Sequence, residues 1–167
     1  LLEYLVRVKD VHGSGVEIDE KAIYSCVEKD LSVSQGDIDS GLEEYPDKMF
    51  DYVIFNQTME QVHNPEKAIE DALRLADKVI VGFPNFCYFD ARIQLFFGGH
   101  VLVTPSLPYT WYNTPNLHFL SIKDFVRFCR DHNIVIEKKV FLNEFGIVKF
   151  FPNVFALNAI MQITNKK

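Results

Sequence analysis

The sequence predicts an α/β layered domain with a mainly parallel β-sheet. Three observations carry the prediction. Short β-branched and aromatic runs alternate with stretches whose apolar residues recur at helical spacing, the pattern of strands joined by crossover helices. Acidic residues close two early strand-like runs, GVEID (15–19) and QGDID (35–39). In open α/β sheets such positions, beyond the carboxyl ends of strands, carry ligand-binding groups. Finally, two strand-like runs lie close together near the C-terminus, which predicts an antiparallel pair at one sheet edge.

The elements follow in order. LLEYLVRV (1–8) reads as the end of a helix, and GSGVEID (13–19) as a turn and short strand. EKAIYSCVEKD (20–30) sets Ala22, Ile23, Cys26 and Val27 at helical spacing, with Asp19 in the N-cap position. LSVSQGDID (31–39) is a second strand. MFDYVIFNQT (49–58) is almost continuously apolar, which predicts a strand covered on both faces. NPEKAIEDALRLA (64–76) is a helix, with Pro65 in its first turn and Ala68, Ile69, Ala72, Leu73 and Ala76 on one stripe. DKVIVGFPN (77–85) is a fourth strand. A helix is expected from about Tyr88 to Phe97, stopping at Gly98-Gly99. SIKDFVRFCRDHN (121–133) is another, capped by Ser121 and burying Ile122, Phe125, Val126 and Cys129. IVIEKKVFLN (134–143) and NVFALNAIMQIT (153–164) form the terminal strand pair.

Composition bounds the function. The 167 residues suit one domain over 1–167, with an aromatic, proline-rich cap segment at about 86–120. A net charge of −6 and the lack of a Lys/Arg stripe argue against a nucleic-acid partner. No apolar run approaches the roughly 20 residues of a membrane span, and no segment resembles a secretory leader. The three cysteines, Cys26, Cys87 and Cys129, are far apart and lack ligand spacing, so they read as buried free thiols of a reducing cytoplasm. Homo-oligomerisation is left open by the sequence.

The candidate site residues cluster at strand ends. Glu17 could accept hydrogen bonds from two ribose hydroxyls, or could be a solvated acid beside a helix N-terminus. Asp37 could bond an adenine amino group with Ile38 against the ring, or could close a plain Asp turn. Asn56, Gln57 and Thr58 end the third strand and could line a crevice or cap the next segment. Gly13-Ser14-Gly15 precedes a strand instead of opening a helix, so it reads as a turn and not a phosphate loop. Glu60, His63, Asp90 and His118 show no metal-ligand spacing, and no metal is expected. There is no Gly-x-Ser-x-Gly elbow to support hydrolase chemistry. TPSLPYTWYNTPNLHFLS (104–121) is long, aromatic and proline-rich, the character of a substrate cap or a partner surface.

Together GVEID, QGDID, FDYVIFNQTMEQVHNPEKAIEDALRLADKVIVGFPNF (50–86) and PYTWYNTPNLHFLSIKDF (108–125) make the chain resemble the methionine-biosynthesis MetW family over nearly its whole length. VGFPNF and LPYTWYNTPN are specific to that resemblance; GVEID and QGDID are generic to methyltransferases. The resemblance implies a Rossmann-like class I methyltransferase sandwich of seven strands, the last inserted antiparallel. It implies S-adenosylmethionine as cofactor, with Glu17 and the adjoining Ile18 at the ribose, Asp37 and Ile38 at the adenine, and Asn56 and Gln57 near the methionine end. Asn85, Tyr109, Trp111, Tyr112, Asn116 and His118 become the substrate- or partner-side candidates. The family's first strand and its glycine loop, of the form Asp-Leu-Gly-Cys-Gly-Asp-Gly, would precede Leu1, and the expectation is that they lie outside this sequence.

The resemblance also implies a cytoplasmic role beside homoserine O-acetyltransferase. Two functions fit: an S-adenosylmethionine-dependent methyltransferase, or a non-catalytic S-adenosylmethionine-sensing or activating partner subunit of that acetyltransferase. A dehydrogenase using NAD would also accept Glu17, but the antiparallel C-terminal strands and the resemblance count against it. Methyl transfer rests on alignment and exclusion of water, so the lack of an obvious base does not separate the first two.

Overall fold

The computed structural model describes residues 1–40 and 42–166. The chain divides into two compact units, Leu1–Glu44 and Tyr45–Lys167.

The first unit holds α1 (Leu2–Lys9), β1 (Ser14–Glu17), α2 (Glu20–Val27) and β2 (Ser32–Gln35). β1 and β2 pair in parallel, from Ser14 opposite Ser32 to Glu17 opposite Gln35. α2 starts where the sequence places it, with the Asp19 side chain accepting a hydrogen bond from the Lys21 amide at 3.1 Å. Ala22, Ile23 and Cys26 are half-buried, while Val27 at the stripe's margin is exposed. α1 is tied to the end of α2 by Glu3, which pairs with Arg7 at 3.2 Å and Lys29 at 2.9 Å. The supposed turn at 13–15 is shorter than expected, since Ser14 and Gly15 already belong to β1. A Cβ on Gly13 would stand 2.9 Å from Leu2 Cδ1, so glycine there lets α1 approach the start of β1.

The second unit runs β3 (Phe50–Asn56), α3 (Pro65–Leu75), β4 (Ala76–Pro84), α4 (Phe89–Ile93), α5 (Ile122–Asp131), β5 (Ile134–Asn143), β6 (Gly146–Ile147), α6 (Pro152–Phe155) and β7 (Asn158–Asn165). Its five strands are ordered β3-β4-β7-β5-β6. β3 and β4 are parallel, and β7 lies antiparallel between β4 and β5. β5 therefore runs in the direction of β3 and β4, giving a largely parallel sheet with the inserted antiparallel strand of the expected fold. Val79, Val81, Ala159, Met161 and Ile163 on β4 and β7 have 0% exposure and form the centre of the core. α3 buries Ala68, Ile69, Ala72, Leu73 and Leu75, and Ala76 beyond it is buried too, the stripe expected from its spacing.

The described strands form one two-stranded sheet in the first unit and one five-stranded sheet in the second. Several expectations are corrected. β3 ends the larger sheet, and its apolar run is not covered on both faces: Tyr52 and Ile54, which share a face by the two-residue period, are 47% and 38% exposed. The terminal strand pair lies antiparallel toward one edge of this sheet, as expected, with only the two-residue β6 beyond β5 and with β7 bonded on both sides. Residues 153–155 fall in α6 rather than in that strand, since Pro152 opens the helix with its fixed φ. Val126 is 40% exposed, at the margin of the stripe that buries Ile122, Phe125 and Cys129. Of the three free thiols only Cys129 is buried.

Candidate functional site

In the first unit Glu17 is half-buried at the C-terminal end of β1. Its Oε1 accepts from the amides of Ile18 at 2.9 Å and Asp19 at 3.1 Å, which orients the carboxylate and leaves Oε2 for a further donor. The parallel register brings the end of β2 alongside, and the Gly36 amide donates to the Glu17 carbonyl at 3.0 Å. A Cβ on Gly36 would come within 3.0 Å of Val16 Cγ1, so the backbone approaches β1 closely here. Asp37 follows at once and closes a turn, its Oδ1 accepting from the Asp39 amide at 2.9 Å. Glu17, Ile18, Asp37 and Ile38 thus converge on one end of a parallel strand pair. Two oriented carboxylates beside the half-buried Ile38 offer hydrogen-bond acceptors next to an apolar surface.

In the second unit Asn56 ends β3 opposite Gly82, where a Cβ would stand 3.3 Å from Asn56 Oδ1. Gln57 takes a left-handed backbone, φ 56°, and its amide donates to the Gly82 carbonyl at 2.7 Å. This kink ends the strand, and Gln57, Glu60 and Gln61 form one wall of a cavity of about 400 Å3. Gln57, Glu60, Tyr109, Asn116, Glu144 and Asn158 are among its lining residues. Asn116 is set by its amide on Thr114 Oγ1 at 3.0 Å. Glu60 is 3% exposed, and burial pushes its carboxyl above the ordinary range. The Glu60 carbonyl accepts from the amides of Leu117 at 2.7 Å and His118 at 3.0 Å, fastening the aromatic segment to the chain after β3.

The remaining candidates are elsewhere. Asn85, 1% exposed, donates to the carbonyls of Ala156 at 2.8 Å and Asn153 at 3.2 Å, and accepts from the Cys87 amide at 3.2 Å. Its amide group braces the end of β4 against α6. His118 lines a second, more apolar cavity of about 320 Å3 with Met59, Ile69, Phe125 and Phe128. Trp111 and Tyr112 meet edge to face at 5.7 Å and are 74% and 71% exposed. Another exposed aromatic pair, Phe96 and Phe97, closes the π-helical turn Gln94–Gly98 that continues α4. Gln94 fixes that turn by bonding both the amide and the carbonyl of Val103. Gly99 ends it in the left-handed conformation, where the sequence signals a stop.

Sequence reasoning passed over Glu144 and Asn158, and set Glu60 aside for lack of ligand spacing. Spacing was the wrong signal. What distinguishes these residues is that segments up to a hundred residues apart enclose one cavity. Among the described residues no His/Cys/Asp/Glu group could hold a metal ion. No helix among them is long and apolar enough to cross a membrane.

Comparison with solved structures shows the fold. A SAM-dependent methyltransferase of Thermotoga maritima superposes with a TM-score of 0.68 at 19% identity, over 98% of this chain and 76% of that one. One from Archaeoglobus fulgidus gives 0.66 at 13% identity, over 96% and 79%. Among characterised proteins, the bifunctional methionine biosynthesis protein MetXA/MetW of Rhodopirellula baltica is 32% identical over 128 residues, 76% of this chain. The chain spans only about 20% of that relative's length. The family model of the methionine biosynthesis protein MetW matches residues 1–163. On that match, carried by nearly every residue and by a fold of the methyltransferase class, the chain belongs to the MetW family of methionine biosynthesis proteins.

Proposed function

We propose that this chain is an S-adenosylmethionine-binding protein of methyltransferase fold that works beside homoserine O-acetyltransferase in the cytoplasmic synthesis of methionine. The observation that carries the reading is the relative whose name joins a MetXA and a MetW activity in one bifunctional chain. We take the MetXA part as the acetyltransferase. Two activities kept on one polypeptide raise each other's effective concentration, which favours an encounter between the separate proteins elsewhere. The exposed pairs Phe96–Phe97 and Trp111–Tyr112 supply aromatic surface of the kind that interface cores favour.

Glu17 would hold the ribose hydroxyls, with Asp37 and Ile38 at the adenine. When bound, the cofactor supplies an electrophilic methyl group. The chain's part is to orient it and exclude water. Calorimetry with S-adenosylmethionine tests the cofactor: Glu17→Ala is expected to weaken binding at least tenfold, and unchanged affinity overturns the assignment. Co-expression with homoserine O-acetyltransferase tests the partnership. Co-elution and an altered acetyl-transfer rate are expected, and the absence of both sinks the reading. Assay of the same mixture for S-adenosylhomocysteine separates a methyl-transferring component from a non-catalytic sensing or activating subunit.

A further inference from the structure

The cavity lined by Gln57, Tyr109 and Asn116, residues that the resemblance sets near the methionine end and on the substrate side, carries two acceptors that those roles leave unassigned. Glu60 Oε2 and Asn158 Oδ1 are both buried without a hydrogen-bond partner. Both are acceptors, and both residues line the same cavity. Leaving a buried acceptor unpartnered is costly, so two in one cavity call for a donor. Glu144 adds a second carboxylate to the lining, and none of the described lining residues is lysine, arginine or histidine. The lining therefore offers acceptors and carboxylates and no basic side chain of its own. Its volume of about 400 Å3 lies within the range of roughly 300–1,000 Å3 usual for small-molecule sites. Tyr109, half exposed at its edge, and the prolines of the loop that carries it supply apolar wall for a short hydrocarbon stem.

We propose that this cavity binds a small protonated primary amine, with the Glu60 carboxylate and the Asn158 amide oxygen as acceptors for its ammonium group. An ammonium brings three donors and a positive charge, the complement of the wall. An anionic ligand would meet two carboxylates with no cation to offset them. A neutral alcohol would satisfy one acceptor and leave the charge unpaired. The proposal rests on the cavity and not on the acetyltransferase reading, so either can fail alone.

The test uses 1,4-diaminobutane as probe, with 1,4-butanediol and butanedioate as neutral and anionic controls of similar length, observed by ligand NMR in about 0.15 M salt to screen surface charge. Saturable binding of the diamine alone is expected, weakened at least tenfold by Glu60→Gln. Binding to the acidic surface at large would ignore that substitution. Equal binding of the diol, no diamine binding at millimolar concentration, or undiminished binding to Glu60→Gln overturns the proposal. Should Glu60→Gln fail to fold, Asn158→Asp decides: an added carboxylate is expected to tighten diamine binding several-fold, and unchanged or weaker binding refutes it.

Discussion

At the scale of single residues, environment rather than identity sets chemistry. Cys129 illustrates this: it is 1% exposed on α5, and burial pushes its thiol up to about 11. Since the thiolate is the nucleophile, Cys129 is expected to resist iodoacetamide at pH 8 in the folded protein, while the half-buried Cys26 and Cys87 label first. Peptide mapping after timed alkylation reads this directly, and early modification of Cys129 in folded protein contradicts it. The sequence marks all three as unpaired, yet it cannot rank them, because burial depends on what packs over each one. The same limit explains Glu60. Its neighbours Met59, Gln61 and Val62 make it look like one more polar residue in a turn, and only the fold shows it 3% exposed. The positions of Glu17 and Asp37 at strand ends were easier to read, because strand ends are fixed by short-range pattern. Their side chains make the local turn contacts that were the competing reading for each, and these contacts leave an oxygen on each carboxylate for a ligand.

At the scale of elements, the helices were more legible than the strands. Asn64, Pro65 and a five-residue stripe specify α3 locally, and the structure shows the Asn64 side chain accepting from the Lys67 amide at 3.1 Å. β6 spans two residues and leaves no periodic signal. α5 is the best-capped helix: Ser121 Oγ accepts from the Asp124 amide at 3.2 Å, and Asp124 Oδ2 accepts from Ser121 N at 3.1 Å. Ser121→Ala is expected to cost about 1 kcal/mol, within the usual ~0.5–2 for a lost cap, as a lower urea midpoint at unchanged slope. An unchanged midpoint shows the cap to be idle. The other end of α5 carries a pH-dependent tie. His132 Nδ1 lies 2.9 Å from the Phe128 carbonyl and Nε2 2.7 Å from Glu66 on α3. These contacts, the Phe128 carbonyl first and then Glu66, raise the imidazole above its ordinary 6.5. The folded state therefore prefers the charged ring. Its stabilisation is complete below the unfolded value and is lost as pH rises through the folded one. Compared with His132→Asn, the wild type should hold its largest stability advantage below the ordinary value of 6.5 and lose it progressively as pH rises above that value. A constant difference across that rise rules out the tie.

At the scale of the whole molecule, the burial of apolar side chains is uneven. In Leu1–Glu44 the buried hydrophobic side chains among the described residues are Leu31 and Leu42. The second unit instead centres on β4 and β7, paired through six consecutive residues from Val79–Ile163 to Pro84–Asn158. Phe83 of β4 packs on Phe125 of α5 with ring centroids 5.0 Å apart. Burial at about 25 cal/mol per Å2 is the chief term opposing chain entropy, so a segment with few buried side chains opens at low free energy. Backbone amides of β1 and β2 are therefore expected to exchange with solvent at least about 100-fold faster than those of β4 and β7, which are expected to exchange only by global unfolding. The parallel pairing of β1 with β2 does not offset this. A two-stranded ladder is marginal by itself, and Glu17 ends one of its strands while Asp37 follows the other. Hydrogen exchange resolved by mass spectrometry measures the contrast on this chain. Adding S-adenosylmethionine then carries the argument to function. If Glu17 and Asp37 hold the cofactor, exchange should slow in residues 14–17 and 32–38 and stay unchanged in β4 and β7, because a ligand stabilises the opening reactions that break its own site. Equal protection of both units without ligand would remove the basis for the contrast. Slowing confined to the second unit would move the cofactor away from Glu17.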